Sequence, residues 1–266
     1  MSINKASITS IKQNAFLFFW TGQFMYIGKA ADTSIHDHHA IQIVICFDKA
    51  IEIRLPDSSY KFKAAIIDSD QPHECRTYDN TFLLLNIAPE SKIGTAIKKK
   101  YLTNQKIAEL SDEKTSEFIG QLQIELKEEQ SCDEIFSITQ KFLYTLINLE
   151  EMKIFDNRIL EVIKLLNQQN GVRIKIDDLA GKVFISPSRL IHLFTDQVGI
   201  PIRKYVLWTK LLSATQKIID TKNITQAALE GGFSDASHFN RTFKRMFGLN
   251  PSLLLKNSQI IQAYRK

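Results

Sequence analysis

Twice in roughly its last hundred residues, the chain runs a short helical pattern into a tight turn and then into a capped second helix. The first copy spans Asp177 to Ser186. Ser186 followed by Pro187 is a strong helix start: a capping oxygen precedes a residue whose missing N–H costs nothing at the first helical position. The spacing predicts a helix that buries Leu190, Leu193, Phe194 and Val198 and leaves Ser188, Arg189, Ile191 and His192 outside. Some forty-eight residues later Ile224 to Ser234 repeats the arrangement around a Gly turn. Ser234 is expected to open a helix with Phe239, Phe243, Met246 and Phe247 inside and Ser237, His238, Arg241 and Arg245 outside. Ala180 and Ala228 hold equivalent places, where a small side chain lets the first helix approach the second.

A helix capped at Asp156 or Asn157 precedes the first copy, with Ile159, Val162, Ile163 and Leu166 on one face and Gly171 at its end. A single helix, Pro201 to about Ile219, joins the two copies. At 1.5 Å per residue it is a rod of ~28 Å. Successive major-groove faces on one side of B-DNA lie about 34 Å apart, so this rod can set two helices into adjacent groove segments. Charge points the same way. Residues 1–155 carry 17 Lys+Arg and 21 Asp+Glu, a net of −4, whereas residues 156–266 carry 17 and 8, a net of +9. A polyanion partner is expected for the basic half alone.

The run from Gly231 to Ser252 resembles the second helix-turn-helix of the AraC/XylS family of transcription regulators almost position for position. Phe194, Gly199, Pro201, Tyr205 and the Lys210-Leu211 pair resemble the rest of that signature, over about residues 157–257. Three positions depart from it. Phe184 stands where a Gly is usual at the first turn and is expected to carry a positive φ at some cost. Lys210 replaces an Arg, keeping charge but losing the planar fork. Ala227 replaces an Ile and leaves less apolar volume. The resemblance implies base contacts from Ser188, Ile191 and His192 in the first unit and from Ala236, Ser237, His238 and Arg241 in the second, with Arg189, Lys244 and Arg245 on phosphate.

Upstream, short β-branched and aromatic segments predict strands over about Ala15–Ala88: Ile41–Phe47, Ile51–Leu55, Tyr60–Ala64 and Phe82–Ile87, separated by turn-formers at Asp48-Lys49, Pro56–Ser58 and Asp79-Asn80. Their spacing argues for a small antiparallel barrel or sandwich. After Pro89 the period becomes helical. Ser111 caps a helix at about 112–129 with a Phe118, Leu122, Leu126 stripe, which either packs on its own barrel or forms a dimer seam. A second helix follows over about Asp133–Leu149, with Ile135, Ile138, Phe142 and Leu146 on one face, and residues 150–155 read as a linker.

The stretch His36 to Gln42, followed by Asp70 to Glu74, resembles the two histidine motifs of cupin barrels. Histidines two apart on a strand point the same way, and with His73 they can hold a metal. Gln42 stands where a carboxylate usually completes such a site, and the glycines of the motifs are mostly missing. A metal enzyme is therefore disfavoured, and the AraC/XylS resemblance, whose sensory barrels bind a small molecule without catalysis, implies an effector pocket of His36, His38, Gln42 and His73 without a metal, a cofactor or catalytic residues. Phe18, Trp20 and Ile43 are candidate cavity walls that sequence cannot orient.

The expected fold class is α+β: an antiparallel cupin-like effector-binding barrel (1–110), a helical dimerisation or linker region (111–150), and an all-α double helix-turn-helix domain (156–266). The expected function is a sequence-specific DNA-binding transcription regulator, an activator by family resemblance. The alternatives are a metal-dependent cupin enzyme fused to a DNA-binding domain, or a ligand-independent DNA-binding dimer. Expected partners are double-stranded DNA, a small-molecule effector and a second copy of the chain; RNA polymerase is a partner the resemblance allows. No apolar run reaches the ~18 residues of a membrane span. Three cysteines without CxxC spacing fit a reduced, cytoplasmic protein and give no zinc finger.

Overall fold

Alternating side chains place two sheets around one apolar interior in the N-terminal half. A computed structural model describes residues 16–29, 34–76, 78, 80–126, 132–147, 156–168, 175–198, 200–247 and 250–252. The strands are β1 (Phe16–Trp20), β2 (Gln23–Lys29), β3 (Ile41–Cys46), β4 (Ile51–Leu55), β5 (Ser58–Phe62), β6 (Ala64–Ile67), β7 (Glu74–Arg76), β8 (Thr81–Ile87) and β9 (Ile107–Glu109). One sheet has the order β1-β2-β8-β3-β6-β9 and the other β5-β4-β7, with every pairing antiparallel. The expected segment Tyr60–Ala64 is not one strand. It breaks at Lys63, so that β5 lies in the small sheet and β6 in the large one.

β3 is buried along its whole length because both faces of the large sheet are covered. Val44 and Cys46 point into the interior shared with Ile51, Ile53 and Cys75 of the small sheet. Ile41, Ile43 and Ile45 point outward, under three helices: α1 (Lys92–Tyr101), α2 (Asp112–Glu125) and α3 (Cys132–Ile147). Phe18 and Trp20 belong to the outer layer too, stacked on each other, with Trp20 against Phe136 of α3. The candidate cavity walls Phe18, Trp20 and Ile43 therefore face helices rather than the inter-sheet space.

The apolar stripe of α2 is spent within the chain. Phe118 and Leu122 are buried, and Phe118 stacks on Phe142 of α3 with centroids 4.1 Å apart. Leu126 sits just past the helix end, half-buried. Ser111 is the N-cap residue, but its side chain makes no cap hydrogen bond. The linker at 150–155 and the helix stop at Gly171 lie outside the described residues.

The C-terminal half is helical: α4 (Asn157–Gln168), α5 (Ile176–Lys182), α6 (Pro187–Val198), α7 (Ile202–Thr221), α8 (Ile224–Glu230) and α9 (Ala236–Phe247). Asp156 caps α4 through the Arg158 N–H. Trp208, Leu211, Ala214 and Ile218 on α7 are fully buried, so the long joining helix is also the core of this half. Its 20 residues make a rod of about 30 Å. It ends at Lys222, whose left-handed φ of 54° turns the chain into the Asn223 cap of α8. Among the described residues no helix is long and apolar enough to cross a membrane.

Candidate nucleic-acid interface and histidine cluster

The two helix-turn-helix units are α5–α6 and α8–α9. In each, the residue after the turn donates its N–H to the carbonyl of the small buried alanine: Ile185 to Ala180 at 3.1 Å and Phe233 to Ala228 at 3.0 Å. This bond needs a left-handed residue just before it. Gly232 supplies it in the second unit at φ 84°, and Phe184 in the first at φ 55°, a residue 93% exposed. The positive φ expected at Phe184 is present, and its side chain gains no burial in exchange.

The second helices then diverge by one residue. Ser186 caps α6, accepting from the Arg189 N–H. In the second unit the cap is Asp235, not Ser234: its Oδ1 accepts from the His238 N–H at 2.7 Å. Ser234 lies one place earlier, with its hydroxyl between Asp235 and His238 Nδ1. The bond to the His238 amide and that from Ser234 hold the Asp235 carboxyl below its ordinary pKa range.

The expected outer faces are outside. Ser188, Arg189, Ile191 and His192 on α6 are exposed, as are Ser237, His238, Arg241, Lys244 and Arg245 on α9. Ala236 is half-buried against the core instead of standing clear. The His238 ring lies edge-on to Phe233. Beneath, Leu190, Leu193 and Phe194, and in the second unit Phe239, Phe243 and Met246, are buried. Val198 is only half-buried, and the side chain of Phe247 lies outside the described residues. Lys210 reaches the Gly232 carbonyl at 3.0 Å, tying the joining helix to the second turn. One ammonium suffices for one carbonyl, so the lost guanidinium fork has no empty partner there. Ala227 is fully buried.

In the N-terminal half, His36, His38 and His73 converge, each offering a ring nitrogen within 4.8 Å of the others. His36 and His73 are zipped by two backbone hydrogen bonds of 3.0 and 2.9 Å. Nδ1 of His36 lies 2.8 Å from the Ser34 carbonyl, and Nδ1 of His73 lies 2.8 Å from that of Gln71. Gln42 joins them from β3, its amide 2.9 Å from His38 Nε2 and 3.2 Å from His73 Nε2. His38 and His73 are almost wholly buried. Burial, followed by repulsion from His73 and His36, pushes His38 down to about 3, and burial pushes His73 down to about 4. Both rings are neutral near pH 7.

Sequence reasoning missed two members of this region. Asn86 lies opposite Gln42 in the β8–β3 register and accepts from its amide at 3.3 Å; the signal was a lone amide inside the apolar run Leu83–Ile87. Glu90 bridges the two halves of the molecule. Its Oε1 meets His39 Nε2 and the Lys204 ammonium of α7, each at 2.7 Å. Burial alone would raise this carboxyl; the bonds from Lys204 and His39 outweigh it and lower the pKa. His39 Nδ1 meets Asp70 at 2.9 Å, and the His39 N–H donates to the Arg245 carbonyl of α9 at 2.6 Å.

A family model described as a helix-turn-helix domain matches residues 179–257. The probable transcription factor PqrA of Proteus vulgaris is 31% identical over 105 residues, which cover 38% of this chain and 86% of that protein. The chain belongs to the AraC/XylS family of transcription regulators. Its similarity to another regulator runs further along the sequence: the probable transcriptional regulator LumQ of Photobacterium leiognathi is 26% identical over 228 residues, 82% of this chain and 90% of that one. Among solved structures, ToxT from Vibrio cholerae aligns over 88% of this chain and 98% of its own, at 11% identity and a TM-score of 0.46. As in other AraC/XylS members, DNA binding resides in the helix-turn-helix domain.

Proposed function

We propose that this AraC/XylS regulator activates transcription by laying α6 and α9 into adjacent major-groove segments, under control of an effector held by His36, His38, Gln42 and His73. The observation that carries the reading is the contact between the two halves. The loop bearing His38 and His39 holds the last turn of α9 through the Arg245 carbonyl. Whatever occupies the histidine cluster acts one residue away from a bond to the second reading helix. A ligand that favours one arrangement of that loop shifts how the helix is presented.

In this reading Ser188, Ile191 and His192 read bases from α6, while Ser237, His238 and Arg241 do so from α9, with Ala236 confined to close approach. Arg189, Lys244 and Arg245 neutralise phosphate. The chain works as a cytoplasmic homodimer that recruits RNA polymerase, and the histidines have no catalytic part. Sedimentation of the purified protein tests the dimer, and a promoter–reporter fusion tests activation.

Selection of bound sequences followed by footprinting tests the two-headed model. Two protected major-groove segments about 34 Å apart on one face of the duplex are expected; a single protected segment defeats it. Arg241→Ala is expected to cost roughly 1–3 kcal/mol on the selected site and to relax the choice at one base. An equal loss on random DNA would remove Arg241 from base reading.

A further inference from the structure

His73 presents both ring nitrogens to oxygen acceptors. Nδ1 faces the Gln71 carbonyl and Nε2 faces Gln42 Oε1. A neutral imidazole has one N–H to give, so one nitrogen meets an oxygen lone pair against lone pair. Turning the Gln42 amide over carries its oxygen to His38 Nε2, and toward Asn86 Oδ1 as well. There His38 meets it as a donor in its Nε2–H tautomer. Its Nδ1 is buried without a hydrogen-bond partner among the described residues. In either orientation the amide directs an oxygen at a ring nitrogen of the cluster. A cation between them would take up both lone pairs.

The ring orientations fit one. Metal-bound histidines commonly donate their other N–H to a carbonyl, which fixes the tautomer and turns the free nitrogen inward. Nδ1 of His36 and His73 is engaged in this way, leaving each with Nε2. We infer that His36, His38 and His73, with the Gln42 oxygen as a fourth donor, bind a first-row divalent transition-metal ion, and that this ion is the effector of the barrel; the second part rests on the regulatory reading above. The donor set is neutral throughout, three imidazoles and an amide, without thiolate or carboxylate. Imidazole suits zinc, iron, nickel and copper rather than calcium or magnesium. Tetrahedral ligands at ~2.0–2.1 Å from the ion stand about 3.4 Å apart, so ring nitrogens now within 4.8 Å of one another close in by about an ångström on binding.

That closure has a direct route to DNA. His38 precedes His39, and the His38 carbonyl accepts from the Asp70 N–H at 2.9 Å. The Asp70 carboxylate and Glu90 hold the two ring nitrogens of His39. From there one path runs to the Arg245 carbonyl on α9 and the other through Glu90 to Lys204 on α7. Drawing His38 toward the ion displaces the loop on which both contacts depend.

The intact protein, stripped with a chelator and dialysed, is titrated with Zn²⁺, Ni²⁺, Mn²⁺ and Fe²⁺ against a chromophoric competitor. About one ion per chain is expected, with His36→Ala, at the half-exposed edge, weakening it tenfold or more. Gln42→Glu adds a charged donor and is expected to tighten binding, and circular dichroism checks that both variants fold. Absence of a stoichiometric ion, or affinities unmoved by both substitutions, overturns the site. Affinity for the selected DNA is then measured with and without the ion. A several-fold change that His39→Ala abolishes, while leaving metal affinity intact, supports the effector role. Equal DNA affinity in the two states overturns that role and leaves the site standing. Failure to bind DNA in any state would defeat the regulatory reading, and the ion titration would still decide the site.

Discussion

Phe184 is the residue where local cost is plainest. Its left-handed backbone serves the hydrogen bond from Ile185 to Ala180, and its ring lies in solvent. A non-glycine residue in this conformation costs roughly 1–2 kcal/mol. Phe184→Gly removes the clash without emptying any core space, although glycine gives back part of the gain through unfolded-chain entropy. A net stabilisation of up to about 1 kcal/mol is expected, read as a higher melting temperature with DNA affinity unchanged. A lower melting temperature would mean that the ring contributes a contact. This position was legible in the sequence because its counterpart in the repeat is glycine. Asp235 was not. Ser234 and Asp235 are both good capping residues side by side, and only the backbone shows which one the helix begins after.

At the scale of elements, the close approach of α8 to α7 depends on one missing side chain. A Cβ on Gly231, the residue that closes α8, would lie 2.6 Å from the Ala214 Cβ on α7 and 2.9 Å from its backbone. Gly231→Ala is expected to destabilise by about 1–3 kcal/mol, as overpacking of a tight core does, with the second unit loosening first. Hydrogen exchange would locate the loss in α8 and α9; a uniform loss over the whole chain would argue against a local cause. The helices were readable because each leaves one face in solvent and so keeps a 3.6-residue period. The large sheet hid its orientation for the opposite reason. With apolar cover on both faces, Phe18 and Phe19, or Ile43 and Val44, look alike in sequence, and no alternation tells the inner face from the outer. The three-residue β9 is too short to carry any pattern.

Over the whole molecule, charge and contact divide the labour. The basic C-terminal half supplies the long-range attraction to a duplex, and the acidic N-terminal half contributes Glu90 and Asp70 at the join. Lys244→Ala is expected to weaken binding about equally on all sequences and to lower the slope of log affinity against log salt by about 1. A loss confined to the selected site would make Lys244 a base reader. The histidine triad was foreseeable from motif spacing, but the join was not, because it pairs residues more than a hundred positions apart through Glu90 and Lys204.

The extra residue in the second turn bears on any attempt to rewrite specificity. The short helices align at an offset of 48, Ala180 on Ala228, but the reading helices begin at Pro187 and Ala236, an offset of 49. A swap of reading residues that matches Ser186 to Ser234 would rotate every transplanted side chain by about 100° around the helix, turning apolar anchors such as Leu190 toward the duplex and reading residues into the core. Matching Ser186 to Asp235 keeps Leu190 over Phe239 and Phe194 over Phe243, so the two heads are interchangeable parts only in that frame.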